Sequence, residues 1–121
     1  MKKILIVDDD EIILEFMRSI LTKHGYRVLV AAKGKDAIEI ARSEDPDLVI
    51  IDINLPDVSG TYVAKALSDD PAMQRIPYFF LTGLMSREDE TLLRNTLGGN
   101  FFLAKPCNTT RLLEAIEKMI R

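Results

Sequence analysis

At 121 residues and 47% hydrophobic content, the chain fits one domain able to bury a core without disulfide or metal staples. Its 29% charged fraction and formal net charge of −3 describe a soluble, mildly acidic protein, with no basic excess to draw nucleic acid or an anionic membrane. The one cysteine, Cys107, excludes an intrachain disulfide, no apolar run reaches membrane-spanning length, and the opening MKKILIV stops short of a signal peptide at Asp8, so a cytoplasmic location is expected.

Residues 3–7 (KILIV) read as a strand. After them Ile12, Ile13, Phe16, Met17, Ile20 and Leu21 recur at three- and four-residue intervals, which predicts a helix with one buried face ending near His24 and Gly25. His24, alone at a helix end, is assigned a structural role. A second strand over 27–30 precedes a helix over 35–43, and a third over 48–53 precedes a helix over 61–67. In that third strand Leu48 to Ile51 are apolar without interruption, yet the next residue is a carboxylate, Asp52. A fourth strand over 78–81 and a fifth over 101–103 flank the least apolar helix, 87–97. The last helix carries Leu112, Leu113, Ile116, Met119 and Ile120 as its stripe, with Thr109 or Asn108 available to cap its start.

The order βαβαβαβαβα, with strands one, three and four apolar almost throughout, predicts a parallel sheet covered by helices on both faces. Right-handed crossovers make this a doubly wound α/β domain spanning 1–121. In such a sheet the carboxyl ends of all strands share one edge. The first strand closes there on Asp8, Asp9 and Asp10, the third on Asp52, the fourth on Thr82 and the fifth on Lys105. Carboxylates ~4 Å apart repel by roughly 4 kcal/mol per pair at an effective dielectric of about 20, so the cluster calls for a cation. Several oxygen ligands and no His or Cys among them suit Mg²⁺ and argue against zinc. A partly hydrated Mg²⁺ leaves room for a phosphate, to which Thr82 can donate and whose charge Lys105 can balance. Each residue also has an ordinary explanation: an Asp triplet suits a helix start, a Thr a turn, a Lys before Pro a solvated loop. Asp10 is assigned to the helix start; the joint placement of the others at one edge carries the site.

VDDDE after the first strand, DINLPDVSG around Asp52, LTG at Thr82 and AKP at Lys105 together resemble the receiver domain of bacterial two-component response regulators, over essentially the whole chain. The resemblance implies a flavodoxin-like fold with strand order 2-1-3-4-5. It implies that Asp52 is the phosphoacceptor, attacking a phosphohistidine on a sensor histidine kinase or phosphotransfer protein. It further implies that Asp9, Asp52 and the Asn54 backbone carbonyl bind Mg²⁺ directly, that Asp8 assists through water, and that Lys105 pairs with the phosphoryl group. Thr82 and Phe102 stand at the switch positions, and the face made by the fourth and fifth predicted helices and the fifth strand is where a downstream protein or output domain reads the state. Asn54 and Leu84 occupy positions that tune the lifetime of the phosphorylated form, and Lys105-Pro106 matches the family's cis peptide.

Gly83 and Cys107 depart from the commoner Ala and bulky apolar residue; Cys107 is read as a small buried apolar residue and Gly98-Gly99 as a helix stop. The absence of sequence beyond the last helix gives the expectation of a stand-alone receiver or one excised from a longer protein. The chain is not expected to be a turnover enzyme. A phosphatase resembling the haloacid dehalogenase group would want a second Asp two residues after the nucleophile, where Asn54 stands. A flavin module would set its phosphate against three aspartates.

Overall fold

The computed structural model describes residues 1–83, 102–105 and 108–120, with the backbone alone for Thr82, Phe102, Ala104 and Lys105. Five parallel strands form one sheet in the order β2-β1-β3-β4-β5. They are β1 (Lys3–Val7), β2 (Arg27–Ala31), β3 (Leu48–Asp52), β4 (Tyr78–Gly83) and β5 (Phe102–Lys105). The described helices are α1 (Glu11–Lys23), α2 (Gly34–Glu44), α3 (Gly60–Asp69) and α4 (Thr109–Ile120). The predicted helix over 87–97, together with Leu84, Gly98, Gly99, Pro106 and Cys107, lies outside the described residues. Among the described residues no helix is long and apolar enough to cross a membrane.

Side-chain alternation along the strands separates the core into two layers. Ile4, Ile6, Leu48, Ile50, Phe79 and Leu81 face α1 and α4, where Leu14, Met17, Leu21, Leu112 and Ile116 complete the layer. Leu5, Val7, Val49, Ile51 and Phe80 face α2 and α3, meeting Ala37, Ala41, Val63, Ala64 and Leu67. Strands packed on both faces must be apolar at every position, which explains the continuous runs in β1 and β3. The buried side of α2 consists of Gly34, Ala37 and Ala41, residues small enough to let its backbone approach its neighbours closely.

Both ends of α1 are closed by side chains. Asp10 Oδ1 accepts the Ile12 and Ile13 amides at 2.9 and 3.4 Å, the helix-start role assigned to it from the sequence. His24 Nδ1 lies 2.8 Å from the Ile20 carbonyl oxygen, and Gly25 takes φ +88°, a value open to glycine at little cost. For α4 the choice of cap falls on Asn108, whose Oδ1 accepts the Thr110 amide at 2.8 Å.

One expectation is corrected. The buried face of α1 is Leu14, Met17 and Leu21, while Ile12 is 82% and Phe16 50% exposed. At 100° per residue the apolar residues cover about half the helix circumference, and docking on the sheet selects an arc rotated roughly 80° from the centre of the predicted stripe. Phe79→Ala in the core should therefore lower stability by about 3–5 kcal/mol. Ile12→Ser, although it replaces a member of the predicted stripe, should change stability by no more than about 0.5 kcal/mol. Urea denaturation of both variants measures the contrast.

Candidate functional site

In the parallel pairing of β1 with β3, Val7 stands opposite Ile51, so the next residue on each strand, Asp8 and Asp52, arrives at the same level of the carboxyl edge. Both are buried, at 1% and 5% exposure, and Asp9 beside them is exposed. One carboxylate oxygen from each of Asp8, Asp9 and Asp52 lies within 4.8 Å of the other two. Short backbone links set these side chains. Asp8 Oδ1 accepts the Asp10 amide at 2.9 Å, and Asp52 Oδ1 faces the Asn54 amide at 3.4 Å. The adjacent aspartates thus divide their work: Asp8 and Asp9 join the cluster while Asp10 starts α1.

The cluster fits the cation expected from the sequence. Its donors are all oxygen, two of the three carboxylates are inside the protein, and the open side toward Asp9 leaves space for water, the environment in which Mg²⁺ keeps part of its hydration shell. The other predicted residues reach the same edge through the backbone. Asp52 pairs with Leu81, which sets Thr82 one position further along β4; Thr82 pairs with Ala104 and Gly83 with Lys105. Lys105 therefore closes β5, Thr82 is the last residue but one of β4, which runs one residue further to Gly83, and Phe102 opens β5 opposite Phe80.

The loop from Ile53 to Ser59 carries Asp52 into α3, and it is held along its length. At its far end the Gly60 amide donates to the Ile53 carbonyl at 2.8 Å, and Ser59 Oγ caps α3 by accepting the Tyr62 amide at 3.2 Å. Gly60 stands so close to the end of β3 that a Cβ there would overlap the Asp52 carbonyl oxygen and come within 2.9 Å of Ile53 Cα. In mid-loop, Asp57 Oδ1 and Oδ2 accept the Gly34 and Lys35 amides at 2.8 and 3.0 Å. The Lys35 amide above all, and, against desolvation, the amides of Gly34, Val58 and Asp57 itself, hold the Asp57 carboxyl at about 2 rather than 3.8.

Neither Asp57 nor Gly60 was singled out by sequence reasoning. The signal available for Asp57 was indirect: the residue before α2 is Lys33, which supplies no side-chain cap, so the orphan amides of that helix needed a distant acceptor.

The response regulator receiver domain family matches residues 4–117. The polar-differentiation response regulator DivK of Brucella ovis is 33% identical over 119 residues, covering 98% of this chain and 96% of its own length. A CheY-like response regulator receiver domain protein from Methanospirillum hungatei superposes with a TM-score of 0.82 at 34% identity, over 99% of this chain and 94% of that one. The receiver domain of a sensor histidine kinase from Pseudomonas aeruginosa, solved with a magnesium ion coordinated in its active site cleft, gives 0.86 at 26% identity, over 98% and 97%. The chain belongs to the receiver domain family of two-component response regulators.

Two outcomes are expected. Asp57 contributes stability that is complete above its unfolded value of 3.8 and is lost as pH falls through about 2. The difference in urea midpoint between the wild type and Asp57→Asn should accordingly be constant above about pH 4 and shrink below it. Gly60→Ala should cost about 1–3 kcal/mol by forcing the end of β3 and the start of α3 apart, read by the same denaturation.

Proposed function

We propose that Asp52 is the phosphoacceptor of this receiver domain, and that residues 1–121 form that one domain. The observation that carries the reading is the convergence of the Asp8, Asp9 and Asp52 carboxylates to within 4.8 Å at the carboxyl edge of the sheet. Asp8, Asp9, Asp52 and the Asn54 backbone carbonyl would hold Mg²⁺, which would supply positive charge to offset the carboxylates and the oxygens of an incoming phosphoryl group.

The chain's own residues then act in sequence. An Asp52 carboxylate oxygen attacks phosphorus in a phosphohistidine carried by a sensor kinase or phosphotransfer protein. The P–N bond breaks, its electron pair returns to the imidazole, and Asp52 becomes an acyl phosphate. Lys105 balances one phosphoryl oxygen and the Thr82 hydroxyl donates to another. The added charge, close to two negative units, draws Thr82 inward. Phe102 fills the space that is left, and the face made by β5, α4 and the segment between β4 and β5 shifts toward its partner-binding form. Exposed Ile12 and Phe16, on the first turns of the helix that follows Asp9, offer the phosphodonor an apolar seat beside the site.

The activity is self-modification, with slow loss of the same phosphoryl group, and not turnover of a substrate. The net charge of −3 supports a protein that binds neither nucleic acid nor an anionic membrane directly, and the single cysteine suits a cytoplasmic one. Incubation with acetyl phosphate and Mg²⁺ should add one acid-stable, alkali-labile phosphoryl group per chain. Asp52→Asn or excess EDTA should abolish it, as followed by intact mass. Labelling that persists in Asp52→Asn, or hydrolysis of many phosphate esters per chain, would overturn the reading.

A further inference from the structure

The N-terminus of α2 is held from the loop of the phosphorylation site and not by its own sequence. Lys33 enters the helix with extended backbone and no side-chain cap, leaving the first amides of α2 without a local acceptor. Asp57 takes two of them, one on each carboxylate oxygen, across 23 and 22 residues of chain. Apolar packing reinforces the bond. Gly34 is buried so tightly on the loop that a Cβ there would overlap Val58 and come within 2.9 Å of Val63. Only Leu55 and Pro56 separate Asp57 from Asn54, and the pyrrolidine ring of Pro56 fixes its own φ and restricts Leu55, so this short segment has fewer ways for one end to move without the other.

We infer that Asp57 is a positioning residue for the cation and phosphoryl site: by grasping α2 it fixes the loop that presents the Asn54 carbonyl beside Asp52. The inference rests on the proposed reading of Asp8, Asp9, Asp52 and Asn54 as the Mg²⁺ ligands. Its physical basis is preorganisation. A loop already ordered by Asp57 does not have to be ordered when the cation binds, so the ordering cost is removed from the binding free energy. Thermodynamic linkage requires the reverse effect too: if the clamp favours Mg²⁺, then Mg²⁺ must tighten the clamp. This reciprocity separates positioning from a cap that merely stabilises a helix.

Calorimetric titration with MgCl₂ and amide hydrogen exchange test it together, on the wild type, Asp57→Ala, Asp57→Asn and Asn108→Ala. Asp57→Ala should weaken Mg²⁺ binding roughly fivefold or more. Asp57→Asn should weaken it less, since its single carbonyl oxygen still accepts one amide. In the wild type, Mg²⁺ should slow exchange at the Gly34 and Lys35 amides by more than at the Thr110 amide of α4, which reports the general stabilisation that any bound ligand brings. Asn108→Ala, which removes the cap of α4, should lower stability and leave Mg²⁺ affinity as it was. The inference is overturned if both Asp57 variants bind Mg²⁺ as the wild type does, or if the cation slows the Gly34 and Lys35 amides no more than the Thr110 amide. The wild-type exchange arm decides even if a variant does not fold. Absence of any Mg²⁺ uptake by the wild type would instead remove the reading of the site itself, and this inference with it.

Discussion

The parallel register of β1 against β3 is the constraint on which the rest of this structure depends. With Val7 opposite Ile51, two strands that are apolar along their lengths reach the edge of the sheet at the same level, and each continues into an aspartate that is still inside the protein. Ionised carboxylates so placed lose hydration and repel one another, and that combination is sustained only by a compensating charge or dense hydrogen bonding. A slip of one residue in this register would separate Asp8 from Asp52 and turn the alternating apolar side chains of β1 to the wrong layers. The packing of the core and the placement of the site are therefore one requirement.

Around that pair, the protein uses backbone groups to hold what side chains must do. The three consecutive aspartates show how far environment sets role: Asp8 is buried and takes an amide two residues on, Asp9 is exposed and faces the cluster, and Asp10 caps α1. The loop after Asp52 follows the same logic. Its start and end are tied by the contact of Gly60 with Ile53, and its middle is bonded to α2 through Asp57. Gly34 and Gly60 matter through close approach, each standing where a methyl group would meet the loop or the end of the strand. A loop tied at both ends and in its middle suits the proposed Mg²⁺ site, since that cation has strict geometric demands.

The consequence for signalling lies in how the two helical layers differ. α2 and α3 are fastened to the loop that follows Asp52 by direct hydrogen bonds and by small buried residues. On the other side of the sheet, α1 presents Ile12 and Phe16 outward. One layer is thereby tied to the loop after Asp52, and the other exposes apolar side chains on α1. Membership of the receiver family places this arrangement in two-component signalling, where a phosphoryl group must be accepted from one protein and its presence reported to another.

Much of this was legible in the sequence, because its determinants are local or periodic. Apolar runs bounded by turns gave the five strands, three- and four-residue repeats gave α1 and α4, and Asp8, Asp52, Thr82 and Lys105 lie at one edge of the sheet, with β4 carried one residue beyond Thr82 to Gly83. Asp10 as a cap and His24 as a helix-end residue followed from chemistry within four residues of chain. The tertiary structure alone decided the rest. Which arc of α1 faces the sheet depends on how the whole helix docks, so Leu14 was passed over in favour of Ile12 and Phe16. The choice between Asn108 and Thr109 depended on where the chain enters α4. Asp57 found its partners 22 and 23 residues away, and Gly60 its neighbour across a turn, because distances of that kind arise only when separate elements are packed together.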